Sequence, residues 1–99
     1  MRESIMKISE LKEGMRRVSL TATVTEISEP REVVTKFGNS RVATAIISDD
    51  SGKMKLTLWN ENIEKVSENS TVQIENGYVK SYLGENQLDV GRYGKLTVT

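Results

Sequence analysis

A chain of 99 residues holds one compact domain, and its 14 basic and 14 acidic residues cancel, so no net charge draws in a polyanion. It contains neither Cys nor His, which removes disulfides, thiol nucleophiles, imidazole bases and nearly all zinc chemistry. The expectation is a binding domain that is not an enzyme and carries no metal or cofactor. No apolar run approaches the roughly 20 residues that cross a bilayer, and the opening MRESIMKISE lacks the apolar stretch of a signal peptide, so a cytoplasmic protein without membrane contact is expected.

Turn signals recur along the chain in the rhythm of an all-β domain. Ser9 is placed to cap one helical turn over 10–13, closed by Gly14. Val18, Leu20, Ala22 and Val24 then alternate with Ser19, Thr21, Thr23 and Thr25, which predicts a half-buried first strand. At Glu26 and Ile27 the alternation slips by one residue, the trace of a bulge. Pro30 ends the strand, and 31–41 reads as a polar connection with a turn at Phe37-Gly38-Asn39. VATAIIS forms a second strand, and Asp49-Asp50-Ser51-Gly52 turns tightly into a third. Asp49 and Asp50 resemble a catalytic or metal-binding pair, but the following Ser-Gly makes a turn the better reading.

The third strand is the most informative stretch. Met54, Leu56 and Leu58 point one way and Lys53, Lys55, Thr57 and Trp59 the other, so inward leucines put the tryptophan outside beside two lysines. Asn60 is placed to cap a short helix through Val66. Val72 and Ile74 begin a fourth strand whose parity slips at Asn76-Gly77, turning Val79 inward and Tyr78, Lys80 and Tyr82 outward. A turn at Gly84-Glu85-Asn86 leads to a fifth strand around Leu88 and Val90, and Leu96 and Val98 finish the chain. The fold class predicted is all-β: a five-stranded barrel with a short helix between strands three and four, the order of the OB fold.

The segments ISELKEGM, DDSGKMKLTLWNE and IENGYVKSYLGENQLDVGRYG carry a family likeness. From about residue 8 to 96 the chain resembles the OB domains of replication protein A and of the archaeal single-stranded DNA-binding proteins, with their relatives in the SOSS complex. The resemblance implies sequence-tolerant binding of single-stranded DNA in replication, repair or recombination, and a nucleoid-associated location in a prokaryote. It implies base stacking on Trp59, Tyr78 and Tyr82, polar or phosphate contacts from Lys55, Thr57 and Lys80, and loop cations at Lys36, Arg31 and Arg92. Arg41 fits that pattern less well. Family members carry a C-terminal tail or further OB domains, so residues 1–99 are expected to be a single OB domain that partners other OB domains of a parent chain and replication or repair proteins.

Each of these residues also has a plainer reading. An outward tryptophan can cap a sheet edge, and tyrosine is favoured in strands whatever its function; the lysines beside them favour stacking. Lys53 is an ordinary solvated charge unless its place beside Trp59 gives it a phosphate role. Phe37 and Tyr93 are open between stacking and packing. Two further functions stay open: an RNA-binding OB domain, since stacking ignores the 2′-hydroxyl, and a protein-interaction OB domain, favoured by zero net charge and by Phe37 and Tyr93.

Overall fold

A computed structural model describes residues 6–36, 38–90 and 94–99. Seven strands make one sheet: β1 (Val18–Ile27), β2 (Arg31–Thr35), β3 (Gly38–Asp49), β4 (Gly52–Trp59), β5 (Thr71–Tyr82), β6 (Glu85–Asp89) and β7 (Lys95–Val98). A 3-10 turn, Ile8–Glu10, precedes β1, and one short helix, α1 (Glu61–Lys65), lies between β4 and β5. Pairings run β1–β3–β4–β6–β5, and β5 pairs back onto β1, so the ring returns to its start. The β4–β6 pairing is parallel and the others are antiparallel.

The ring holds the five strands read from the sequence, and two more lie outside it. β2 forms where a polar connection was expected, because Val33 and Val34 extend beside β3 in register, from Arg31 opposite Val42 to Thr35 opposite Gly38. β7 pairs with the first half of β5, Leu96 opposite Ile74. The helical turn sits earlier than the Ser9 cap implied: Glu10 folds back to accept the Lys7 N–H at 2.7 Å, and Leu11 already leaves the helix in extended backbone. Asn60 precedes α1 without capping it. Its side-chain oxygen accepts the Arg41 N–H at 3.0 Å, and α1 stops at Lys65.

Both parity slips are bulges. The β1–β3 register shifts between Val24 and Glu26, and the β1–β5 register jumps from Leu20–Ile74 to Val18–Gly77 around Asn76, whose φ is 57°. Gly77 suits that second bend. A Cβ there would stand 3.1 Å from Ile74 Cγ2 and 3.3 Å from the Asp89 carbonyl oxygen, tighter than most such contacts, so the neighbours would have to give way by a few tenths of an ångström. The β5–β6 hairpin turns through Leu83 and Gly84, a residue or two before the expected turn, both with positive φ (53° and 78°). That is the primed geometry that suits the twist of a hairpin.

The inward parities of these strands meet in one core. Val18, Leu20, Val24, Ala45, Ile47, Leu56, Leu58, Val72, Ile74 and Leu88 are all essentially without solvent contact. Truncating one such leucine to alanine typically costs about 2–5 kcal/mol. Asp49 holds the β3–β4 turn to the 3-10 turn. One oxygen accepts from the Ser51 hydroxyl (2.6 Å) and from the Ser51 and Gly52 N–H groups, and the other from the Ile8 N–H at 2.9 Å. Burial raises the Asp49 pKa, but these hydrogen bonds outweigh it and hold the carboxyl below its ordinary value. The Asp-Asp-Ser-Gly cluster is therefore a turn, and among the described residues no group of three or more acidic side chains is placed to hold a metal. No helix among them is long and apolar enough to cross a membrane.

Candidate nucleic-acid interface

The outward parities of β3, β4, β6 and β5 make one open face, and the register sets its rows. Thr44, Thr57, Asp89 and Tyr78 stand side by side across the four strands, and Ile46, Lys55, Gln87 and Lys80 form the next row. Beyond the first row lies Trp59 opposite Val42, with Arg31 of β2 on the far side of Val42. Beyond the second lie Lys53 on β4 and the Glu85–Tyr82 pair at the mouth of the β5–β6 hairpin.

Strand geometry then gives the spacing. Tyr78 and Tyr82 are four residues apart on one strand, about 13 Å, and Trp59 is two strands over and two residues along from Tyr78, about 12 Å. The three backbone positions thus span roughly 20 Å of one face. Tyr78 is 37% exposed and Tyr82 55%, while Trp59 is half-buried.

Two clefts mark the ends of this face. One is lined by Trp59, Tyr78, Lys80, Thr35, Lys36 and Asn62, and the other by Tyr82, Leu83, Lys55, Glu26, Ile46 and Gln87. The structure therefore brings together Trp59, Tyr78, Tyr82, Lys55, Lys80 and Lys36, and places Arg31 and Lys53 at the margins. Thr57 is on the face but only 6% exposed, with its hydroxyl 3.5 Å from the Gln87 side-chain oxygen. Arg41 has the opposite parity and bonds Glu64 of α1 at 3.2 Å, away from the rings. Phe37, Arg92 and Tyr93 lie outside the described residues.

The lysines on this face are already engaged. Lys55 Nζ is 2.8 Å from Glu85 Oε1, a half-exposed pair. Lys80 Nζ is 3.0 Å from Asp89 Oδ2, and that carboxylate is buried. The same oxygen accepts the Trp59 indole N–H at 3.3 Å. Burial, the Asp89 charge and a hydrogen bond to that carboxylate push the Tyr78 phenol above the ordinary tyrosine range. No buried side-chain nitrogen or oxygen among the described residues is left without a partner.

Asp89 and Glu85 are the members of this face that the sequence reading passed over. Alternation was signal enough for their direction, since both share the parity opposite to Leu88. Their partners depend on β6 lying between β4 and β5, which no local pattern states.

The pairing order, the helix between the third and fourth strands of the ring, and an open face of aromatics and amines define an all-β domain of the OB type. The family described as single-stranded DNA binding protein Ssb-like, OB fold, matches residues 11–98, and the chain belongs to that family. It is 37% identical over 90 residues to the single-stranded DNA binding protein Ssb of Saccharolobus solfataricus, a match covering 91% of this chain and 61% of that protein. To replication factor A of Methanothermobacter thermautotrophicus it is 29% identical over 89 residues, covering 89% of this chain and 11% of the relative. The chain thus spans less than two thirds of either relative. Among solved structures, the replication factor A related protein from Methanobacterium thermoautotrophicum superposes with a TM-score of 0.80 at 28% identity, over 97% of this chain and 91% of that one. The second OB-fold domain of replication protein A from Methanococcus maripaludis gives 0.79 at 25% identity, over 96% and 94%.

Proposed function

We propose that residues 1–99 are one OB-barrel domain that binds single-stranded DNA without strong sequence preference, stacking bases on Trp59, Tyr78 and Tyr82. The observation that carries this reading is three aromatic side chains on a single open face, rooted at backbone positions about 12–13 Å apart and flanked by Lys36, Lys55 and Arg31. A span of roughly 20 Å suits about four to six nucleotides of extended strand, the lower end of what an OB fold covers.

Stacking contributes about 1–3 kcal/mol per base, so three rings supply roughly 3–9 kcal/mol before ordering costs, which supports micromolar to high-nanomolar binding by one domain. Phosphates fall to Lys55, Lys36 and Arg31, with Lys53 at the margin. About three neutralised phosphates give a slope of log K against log salt near −2. The protein is a binding module rather than an enzyme. It serves replication, repair or recombination in the cytoplasm or nucleoid, beside other OB domains or repair proteins.

The test is a titration with oligo-dT of about 15 nucleotides, following the fluorescence of Trp59, the only tryptophan. Saturable quenching that a duplex of the same length does not produce is the expected result. Equal affinity for oligo-rU would shift the reading to single strands of either sugar. No binding by fluorescence or anisotropy would leave protein interaction as the function of this face.

A further inference from the structure

We propose that Asp89 is the positioning residue of this face: its buried carboxylate fixes Trp59 and Tyr78 for stacking and withholds Lys80 from phosphate. The proposal rests on the single-strand reading above and adds a division of labour within it.

Asp89 has outward parity on β6, yet it is only 2% exposed. A side chain that points out of the sheet and sees no solvent is covered by its neighbours. The Trp59 indole N–H at 3.3 Å and the Lys80 ammonium at 3.0 Å both bond its Oδ2, and Tyr78 stands directly opposite Asp89 in the β5–β6 register. A carboxylate costs several kcal/mol to bury unless it is paired and fully hydrogen-bonded, and here both conditions are met. Packing alone would be served as well by threonine or valine at this strand position, so the charge has another use.

That use follows from geometry. Trp59 and Tyr78 come from strands two apart, and Asp89 stands on the strand between them. One acceptor placed there holds the Trp59 ring beside Tyr78 before any base arrives, and ordering already present in the free protein is not lost on binding. The same carboxylate neutralises Lys80. A lysine bonded to a buried carboxylate has little to gain from a phosphate, so the centre of the face binds by stacking while its margins supply the salt-dependent part.

The experiment compares the intact chain with Asp89→Asn and Lys80→Met, measuring the oligo-dT dissociation constant from about 20 to 500 mM salt. Near-ultraviolet circular dichroism of the free proteins reports on ring order, and thermal melts confirm folding. Asp89→Asn keeps the shape and an acceptor oxygen but releases Lys80. Its salt dependence is expected to steepen by about 0.7, one added phosphate contact on a single strand. Binding by this variant equals or exceeds wild type at low salt. It falls about 3- to 10-fold short at high salt, where the loosened rings dominate, so the two lines meet or cross. The free variant also loses near-ultraviolet intensity. Lys80→Met is expected to leave the slope unchanged.

A slope that drops by about 0.7 in Lys80→Met would show Lys80 already on a phosphate and overturn the proposal. Parallel salt lines for Asp89→Asn and wild type would overturn it too, because a merely structural carboxylate shifts affinity without changing the slope. If Lys80→Met fails to fold, Asp89→Asn decides alone. Wild type failing to bind oligo-dT at all would instead strike the single-strand reading, and the near-ultraviolet comparison would still show whether Asp89 orders the rings.

Discussion

Removing a negative charge from the face should tighten binding, and Glu85→Gln isolates that effect. Glu85 Oε1 lies 2.8 Å from Lys55 Nζ, with the two side chains 54% and 42% exposed. To reach a phosphate, Lys55 must give up that partner, and a half-exposed pair is worth about 0.2–1 kcal/mol. The carboxylate also repels the incoming phosphate. At about 7 Å in a mostly aqueous setting that repulsion is near 0.8 kcal/mol, and screening at moderate salt roughly halves it. Together these predict about 0.5–1.5 kcal/mol of gain, a two- to twelve-fold tighter complex. The neutral amide keeps the hairpin's shape, so the melting temperature should barely move. The assay is the Trp59 fluorescence titration at 50 and 300 mM salt, with the gain shrinking at the higher salt and vanishing in the Lys55→Met background. Unchanged or weaker binding at 50 mM salt would refute the reasoning, since it would mean that Lys55 does not serve phosphate.

Other expectations follow from the same geometry. Tyr82→Ala, at a 55% exposed position, should weaken oligo-dT binding by about 1–2 kcal/mol on a titration curve while leaving the melting temperature within a degree or two. Leu83 sits at a φ of 53° and is 87% exposed, so Leu83→Asn should stabilise the hairpin by about 0.5–1 kcal/mol in urea unfolding. Asp49→Asn should cost about 1–2 kcal/mol at neutral pH, because its partly exposed carboxylate accepts four hydrogen bonds. The folded Asp49 pKa lies below the ordinary 3.8, so its contribution is present above that value and is lost as pH falls through the lower folded one; acid unfolding of the variant should show a shallower dependence there. Tyr78 has the opposite sign: its folded pKa is raised above 10.0, so its contribution is complete below that value and is lost as pH climbs through the folded one. Tyr78→Phe should remove a late phenol ionisation seen by ultraviolet difference titration.

Much of this protein was legible in the order of its residues, for a definite reason. A strand's side chains alternate with a period of two, so Leu56 and Leu58 going inward forces Lys55 and Trp59 outward whatever else the chain does. The same rule located both bulges, because a residue inserted into a paired strand shifts every later side chain to the opposite face. Val33 and Val34 were harder. A strand at the edge of a sheet is defined by its partner, and nothing within residues 31–35 says that β3 will extend far enough to pair with them.

The site divides along the same line. Which of its side chains face outward is local information, and it singled out the three rings and their lysines. Which of them touch is not local: Trp59 and Lys80 come from two strands of the ring and meet on Asp89 only because β6 inserts between β4 and β5, parallel to one and antiparallel to the other. The sequence by itself determined the faces. Only the tertiary structure decided the neighbours, because strand pairing joins residues 30 apart along the chain to within a hydrogen bond. That pairing sets two lysines read as phosphate contacts beside Glu85 and Asp89.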